Sequence, residues 1–257
     1  MLKRFAVALL FALFAVPAFA IDYSDMWYIP AESGWGANFT QNANILFVTF
    51  FIYDQNGKPT WYVAILAQDA NGNFSGTLYS TVGTYFGAPW NPSAYAPATA
   101  GVASFAPVNA YQGTLSYTVL GGPTVNKVVV RQTLITIDLT GNFTGGQAGG
   151  YSNCSNSSNN GLYKDTFDLQ VTQSAGNVAM IFAYNGLGAS CTFSGALVQN
   201  GQLYTVPSAT YVCDDGTNTV ASLSEIKLTS QGIEGRLTSP SIIGCREDAT
   251  FSAVNLQ

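Results

Sequence analysis

The sequence has no histidine, and only 9% of its 257 residues are charged. Without imidazole there is no Ser-His-Asp or Cys-His relay, no His-ligated zinc or haem, and no ordinary side chain that titrates near neutral pH. Basic residues are scarce as well, 9 Lys+Arg against 14 Asp+Glu. That balance leaves no basic stripe for nucleic acid. Sustained helical periodicity is missing, and nothing beyond the first twenty residues approaches the roughly 20 apolar residues of a spanning helix. What is abundant is apolar and aromatic: 47% hydrophobic, 13% aromatic, with 26 glycines. Such a chain has enough to bury and is not a disordered one.

The first twenty residues place Lys3 and Arg4 before an apolar run from Phe5 to Val16, followed by Ala18-Phe19-Ala20. This pattern predicts a signal peptide over 1–20, cleaved after Ala20, and a periplasmic or extracellular destination. Cleavage would leave 237 residues with 7 basic and 14 acidic side chains, a net charge of −7. Export predicts disulfides among Cys154, Cys191, Cys213 and Cys245. Four cysteines permit three pairings; Cys191–Cys213 between neighbouring strands and Cys154–Cys245 across the domain's ends are favoured. No C-x-x-C pair is present, so zinc is not expected, and no metal or other cofactor is read from the sequence.

Short apolar runs are punctuated by turn signals at Asn56-Gly57, Asn71-Gly72, Gly121-Gly122-Pro123, Asn200-Gly201 and Asp215-Gly216. Regular short strands joined by such turns predict an all-β chain, here two tandem antiparallel β-barrel or sandwich domains of about seven strands each. The halves also align: Thr40-Gln41 with Thr172-Gln173, Tyr53 with Tyr184, Gly57 with Gly188, Asn71-Gly72 with Asn200-Gly201, and Gln112-Gly113 with Gln231-Gly232. We therefore expect a duplicated plan, with a Trp-rich domain over 21–136 and a disulfide-bonded one over 137–257. The small-residue stretch Thr144–Gly150 reads as linker, and Tyr85–Ala100, with three prolines, Trp90 and Tyr95, as a long loop.

The most distinctive segment runs from Met26 to Phe39, M-W-Y-I-P-A-E-S-G-W-G-A-N-F, and leads into Tyr53-Asp54 and Gly57-Lys58-Pro59-Thr60-Trp61-Tyr62. This resembles a family of secreted proteobacterial proteins with the pattern W-x-x-P-x-E-S-G-W-G followed by Y-D-x-x-G-x-P-x-W-Y. The resemblance implies export and no particular chemistry. A looser likeness is to lipocalin-type barrels, which open on a G-x-W strand whose tryptophan is covered by an arginine. It implies that Ser33-Gly34-Trp35 and Arg131 play those parts, as a structural plug with cation–π stacking.

Trp27, Trp35, Trp61, Tyr62 and Trp90, with the acid Glu32, are the candidate ligand contacts, because aromatic mouths with few polar groups suit a bound small molecule, glycan or peptide. The leading expectation is a non-enzymatic secreted binding protein. The rival is a His-independent hydrolase or lyase acting on glycans, with Glu32 and Asp54 as its carboxylates. A structural or interaction module of the envelope is a third reading. An outer-membrane barrel is disfavoured by the continuously apolar run from Asn44 to Tyr53. The Asp/Asn-Gly clusters lack calcium-loop spacing and read as turns.

Overall fold

The computed structural model describes residues 21–242 and 244–256; the predicted signal segment lies outside them. Eight strands follow one another as an antiparallel meander: β1 (Asp25–Tyr28), β2 (Gly36–Asn42), β3 (Ile45–Tyr53), β4 (Pro59–Gln68), β5 (Phe74–Val82), β6 (Ala96–Pro107), β7 (Gln112–Val119) and β8 (Thr124–Arg131). The meander closes into a barrel because β1 also pairs with β8, Trp27 opposite Arg131.

A second sheet holds β9 (Gly141–Ser152), β10 (Gly161–Ser174), β11 (Asn177–Tyr184), β12 (Ser190–Ala196), β13 (Val198–Asn200), β14 (Leu203–Cys213), β15 (Asn218–Leu228), β16 (Gly232–Ile242) and β17 (Cys245–Asn255). Its order is β12-β11-β10-β9-β17-β16-β15-β14-β13, and β12 pairs β14 as well, so eight of its nine strands form a ring. The chain is all-β in two antiparallel sheets, with eight and nine strands where about seven each were expected.

Alternation explains the core. In β3, Leu46, Val48 and Phe50 are buried while Ile45, Phe47, Phe51 and Tyr53 face out. The barrel interior fills with Trp27, Phe39, Phe50, Phe74 and Phe105, whose rings interlock at centroid distances such as 4.9 Å for Phe39–Phe105. The second ring packs Phe143, Phe167, Phe182, Phe193, Tyr204 and Phe251. Each such ring contributes about 1.5–3 kcal/mol on leaving water. Disulfides join Cys154 to Cys245 and Cys191 to Cys213, the latter directly opposite each other on β12 and β14.

Two segments differ from expectation. Thr144–Gly150, read as linker, is the middle of β9. Its glycines serve close approach: a Cβ on Gly145 would lie 2.1 Å from the Ser252 carbonyl oxygen, and one on Gly149 2.5 Å from the Ala249 methyl. The long loop is shorter than Tyr85–Ala100, because β6 already begins at Ala96.

The two sheets meet at the barrel's base. Asp25 Oδ2 accepts from the Gln202 amide at 3.0 Å, the Tyr111 hydroxyl accepts from the Glu225 amide at 2.7 Å, and Lys227 pairs with Asp22 at 3.2 Å. Gly201, whose φ is +64°, brings the β13–β14 turn against the barrel. A Cβ there would stand 2.2 Å from Asp25 Oδ2 and 2.6 Å from Arg131 Cβ. Gly201→Ala is therefore expected to cost more than the roughly 1–2 kcal/mol of a left-handed alanine alone. Gly216→Ala, with φ +94° and nothing within 4 Å, gives the backbone cost by itself in the same thermal unfolding series.

Candidate functional site

The antiparallel meander places the 29–35, 54–58, 83–95 and 120–123 connections at one rim of the barrel, the mouth. The base, opposite, carries the contacts with the second sheet. Of the expected ligand contacts, Trp35 and Trp90 lie in the mouth connections and Trp61 and Tyr62 at the mouth end of β4. Trp61 faces outward, 49% exposed, and pairs across strands with exposed Phe51; Tyr62 turns inward and is half-buried against the core. Trp90 is 69% exposed on the 83–95 loop, beside exposed Tyr85, Phe86 and Tyr95.

Trp27 departs from expectation as a ligand contact, because it is 0% exposed. Its ring stacks on Phe39 at 5.3 Å and meets Phe105 at 5.2 Å, and its Nε1 donates to the Tyr23 carbonyl at 2.9 Å. It is also the tryptophan that Arg131 covers, at 5.1 Å, in place of the expected Trp35. Register explains the exchange: Trp27 is directly opposite Arg131 on the closing pair, whereas Trp35 precedes β2 at the mouth. The guanidinium donates to the carbonyls of Ala110, Ser24 and Asp22 and pairs with Asp25 at 3.2 Å, both side chains being buried.

Glu32 and Asp54 are each engaged separately. Lys127 Nζ lies 2.6 Å from Glu32 Oε2, and Trp35 Nε1 donates to the same oxygen at 3.3 Å. The Lys127 hydrogen bond holds the Glu32 carboxyl below its ordinary range. A general acid needs the opposite shift. Asp54 Oδ1 accepts from the Asn56 and Lys58 amides at 2.8 and 2.9 Å, fastening the β3–β4 turn. Lys127 also sits 5.9 Å from the Trp35 ring centroid, so a cation, an acid and an indole form one surface group at the mouth.

The strands β3 to β7 contain no charged residue. On the outside of the barrel this leaves Phe47 opposite Ile65 and Phe51 opposite Trp61, all exposed, with Val102 two strands further on. Single exposed apolar residues are ordinary, but a contiguous patch marks an interaction surface. The apolar run that disfavoured a membrane barrel has thus become two faces, one core and one wall.

A cavity of about 860 Å³ lies between the base and the second sheet, lined by Asp22, Ser24 and Arg131 from one side and Glu225, Lys227 and Arg236 from the other. Glu225 pairs with Arg236 at 3.0 Å there. A second polar cluster, which sequence reading missed, is buried inside the second ring. Tyr163 donates to Glu247, Gln147 Nε2 reaches Glu247 Oε1 at 3.4 Å, and Tyr184 donates to Gln147 Oε1 at 2.9 Å. Alternation was the available signal: Cys245, Glu247, Ala249 and Phe251 share one face of β17.

No protein-family model and no curated protein matches the chain. Among solved structures, it is similar to an intact transferrin-binding protein B with N and C lobes, at 14% identity and a TM-score of 0.31 over 86% of this chain and 54% of that one. A tryptophan-to-alanine mutant of the Haemophilus parasuis Hp5 protein of the same name gives 13% and 0.31, over 87% and 54%. Isotype 1 from serogroup B Neisseria meningitidis gives 8% and 0.26, over 87% and 66%. The chain spans about half the length of the first two. These are loose likenesses between β-rich chains.

Proposed function

We propose that the chain is a non-enzymatic, exported binding protein whose first barrel holds an extended ligand, a glycan or peptide segment, across its mouth and uncharged outer wall. The observation that carries this reading is the exposed aromatic set of Trp61, Trp90 and Phe51, with half-buried Trp35 beside them at the mouth, on a barrel whose interior is already filled. A packed interior suits an extended ligand lying over the rim better than a small molecule held within. The two disulfides fit export. Spans 21–136 and 137–257 act as two modules of one duplicated plan: Thr40-Gln41 and Thr172-Gln173 fall in the second strand of each run, and Tyr53 and Tyr184 end the third.

Binding energy at such surfaces concentrates in a few large rings. Trp61→Ala and Trp90→Ala are each expected to weaken binding at least tenfold to whichever glycan or peptide on an array the wild type retains, with unfolding unchanged. Wild-type affinity in both variants would reject the mouth and wall as the site. Turnover of a glycan lost in Glu32→Gln with Asp54→Asn, while binding persists, would favour the enzymatic rival.

A further inference from the structure

The buried cluster in the second ring carries two unsatisfied atoms. Among the described residues Ser239 Oγ and Glu247 Oε2 have no hydrogen-bond partner, and the two residues are 0% and 3% exposed. They are direct cross-strand partners on β16 and β17. Side chains so paired have Cβ atoms about 4.5–5.5 Å apart, so the two free oxygens address one small volume. Leaving such groups unpaired in the interior is unfavourable, and more so for an ionised carboxylate. Among the described residues no lysine or arginine forms an ion pair with Glu247.

We propose that this point is a binding site for the head group of a primary amine, with Glu247 as its counter-charge. An ammonium group brings three N–H donors and one positive charge. Two donors match Ser239 Oγ and Glu247 Oε2; the stacked Tyr151 and Tyr163 rings, 5.0 Å apart and half-buried, offer the aromatic surface that cations favour. Tyr151 is the cross-strand partner of Glu247 on β9, so these rings flank the carboxyl. A quaternary ammonium has the charge without the donors and fits less well.

Binding is linked to protons. Burial raises the Glu247 carboxyl, with Asp248 adding repulsion and the Tyr163 hydrogen bond opposing both. The other titratable groups around it, Tyr151, Tyr184 and Tyr211, are all pushed up by burial and stay neutral. Ammonium binding favours the ionised carboxyl, so wherever Glu247 carries a proton the entering cation displaces it to buffer and affinity rises with pH.

The test is calorimetric titration and thermal unfolding of the full chain with methylammonium, against tetramethylammonium and sodium at equal ionic strength, from pH 5 to 8. Saturable stabilisation by methylammonium alone, growing with pH and releasing a proton, is expected. Glu247→Gln should abolish it, and Ser239→Ala should weaken it about tenfold. Glu247→Gln should itself melt higher than wild type at pH 8, since a raised carboxyl contributes its stability below its unfolded value and loses it as pH rises. No saturable shift, an equal shift with tetramethylammonium, or one retained in Glu247→Gln would overturn the proposal.

Discussion

Replacing Arg131 with methionine is expected to destabilise the first barrel by about 3–5 kcal/mol, the usual cost of stranding one member of a buried ion pair. Methionine retains the length that packs on Trp27 but removes every polar contact of the guanidinium. Asp25 would keep only the Met26 and Gln202 amides for its carboxylate, at 2.8 and 3.0 Å. Three backbone carbonyls at the base, those of Asp22, Ser24 and Ala110, would lose their donor together. Urea unfolding followed by tryptophan fluorescence measures the loss. Adding Asp25→Asn should restore part of it, since the uncompensated charge is then gone. An Arg131→Met protein as stable as wild type would show that the pair does not hold the barrel closed.

The second large effect concerns Cys154–Cys245, which spans 91 positions. Its removal by paired serine substitutions is expected to cost about 4–5 kcal/mol on the chain-entropy model, against about 3 for the shorter Cys191–Cys213 loop. The order of the two double variants in denaturant is the readout, and equal or inverted losses would count against the loop-length argument. Unfolding of the first barrel should be the same in both, as neither bridge touches it.

Fold class was legible because its signals are local. Each of the five Gly-containing turns is set by the residues at the turn, and period-two alternation in runs such as Phe167–Thr172 needs no partner to be seen. Gly145 and Gly149 misled because glycine signals flexibility in isolation and close packing in context; only Ser252 and Ala249, a hundred positions away, decide between them. The same holds for Arg131. Its covering of a tryptophan was anticipated, but whether Trp27 or Trp35 lies beneath depends on the register between β1 and β8. Glu247 was hidden for a related reason. One acid among alternating apolar residues looks like a surface position until Ser239, Tyr163 and Gln147 arrive from three other strands.

Every strand pairing in the first barrel is a hairpin with its sequence neighbour except the one joining β1 to β8, and the second ring likewise relies on β9 meeting β17. Both seams link residues about a hundred positions apart, so closure comes after the hairpins and sets the folding time, as long-range pairing does in other β topologies. The seams are fastened by different chemistry. One has a guanidinium and a carboxylate, which work as soon as the chain is synthesised. The other lies beside Cys154–Cys245, whose bond needs an oxidising compartment. The first barrel can therefore close anywhere, while the second gains its covalent fastening only where thiols are oxidised.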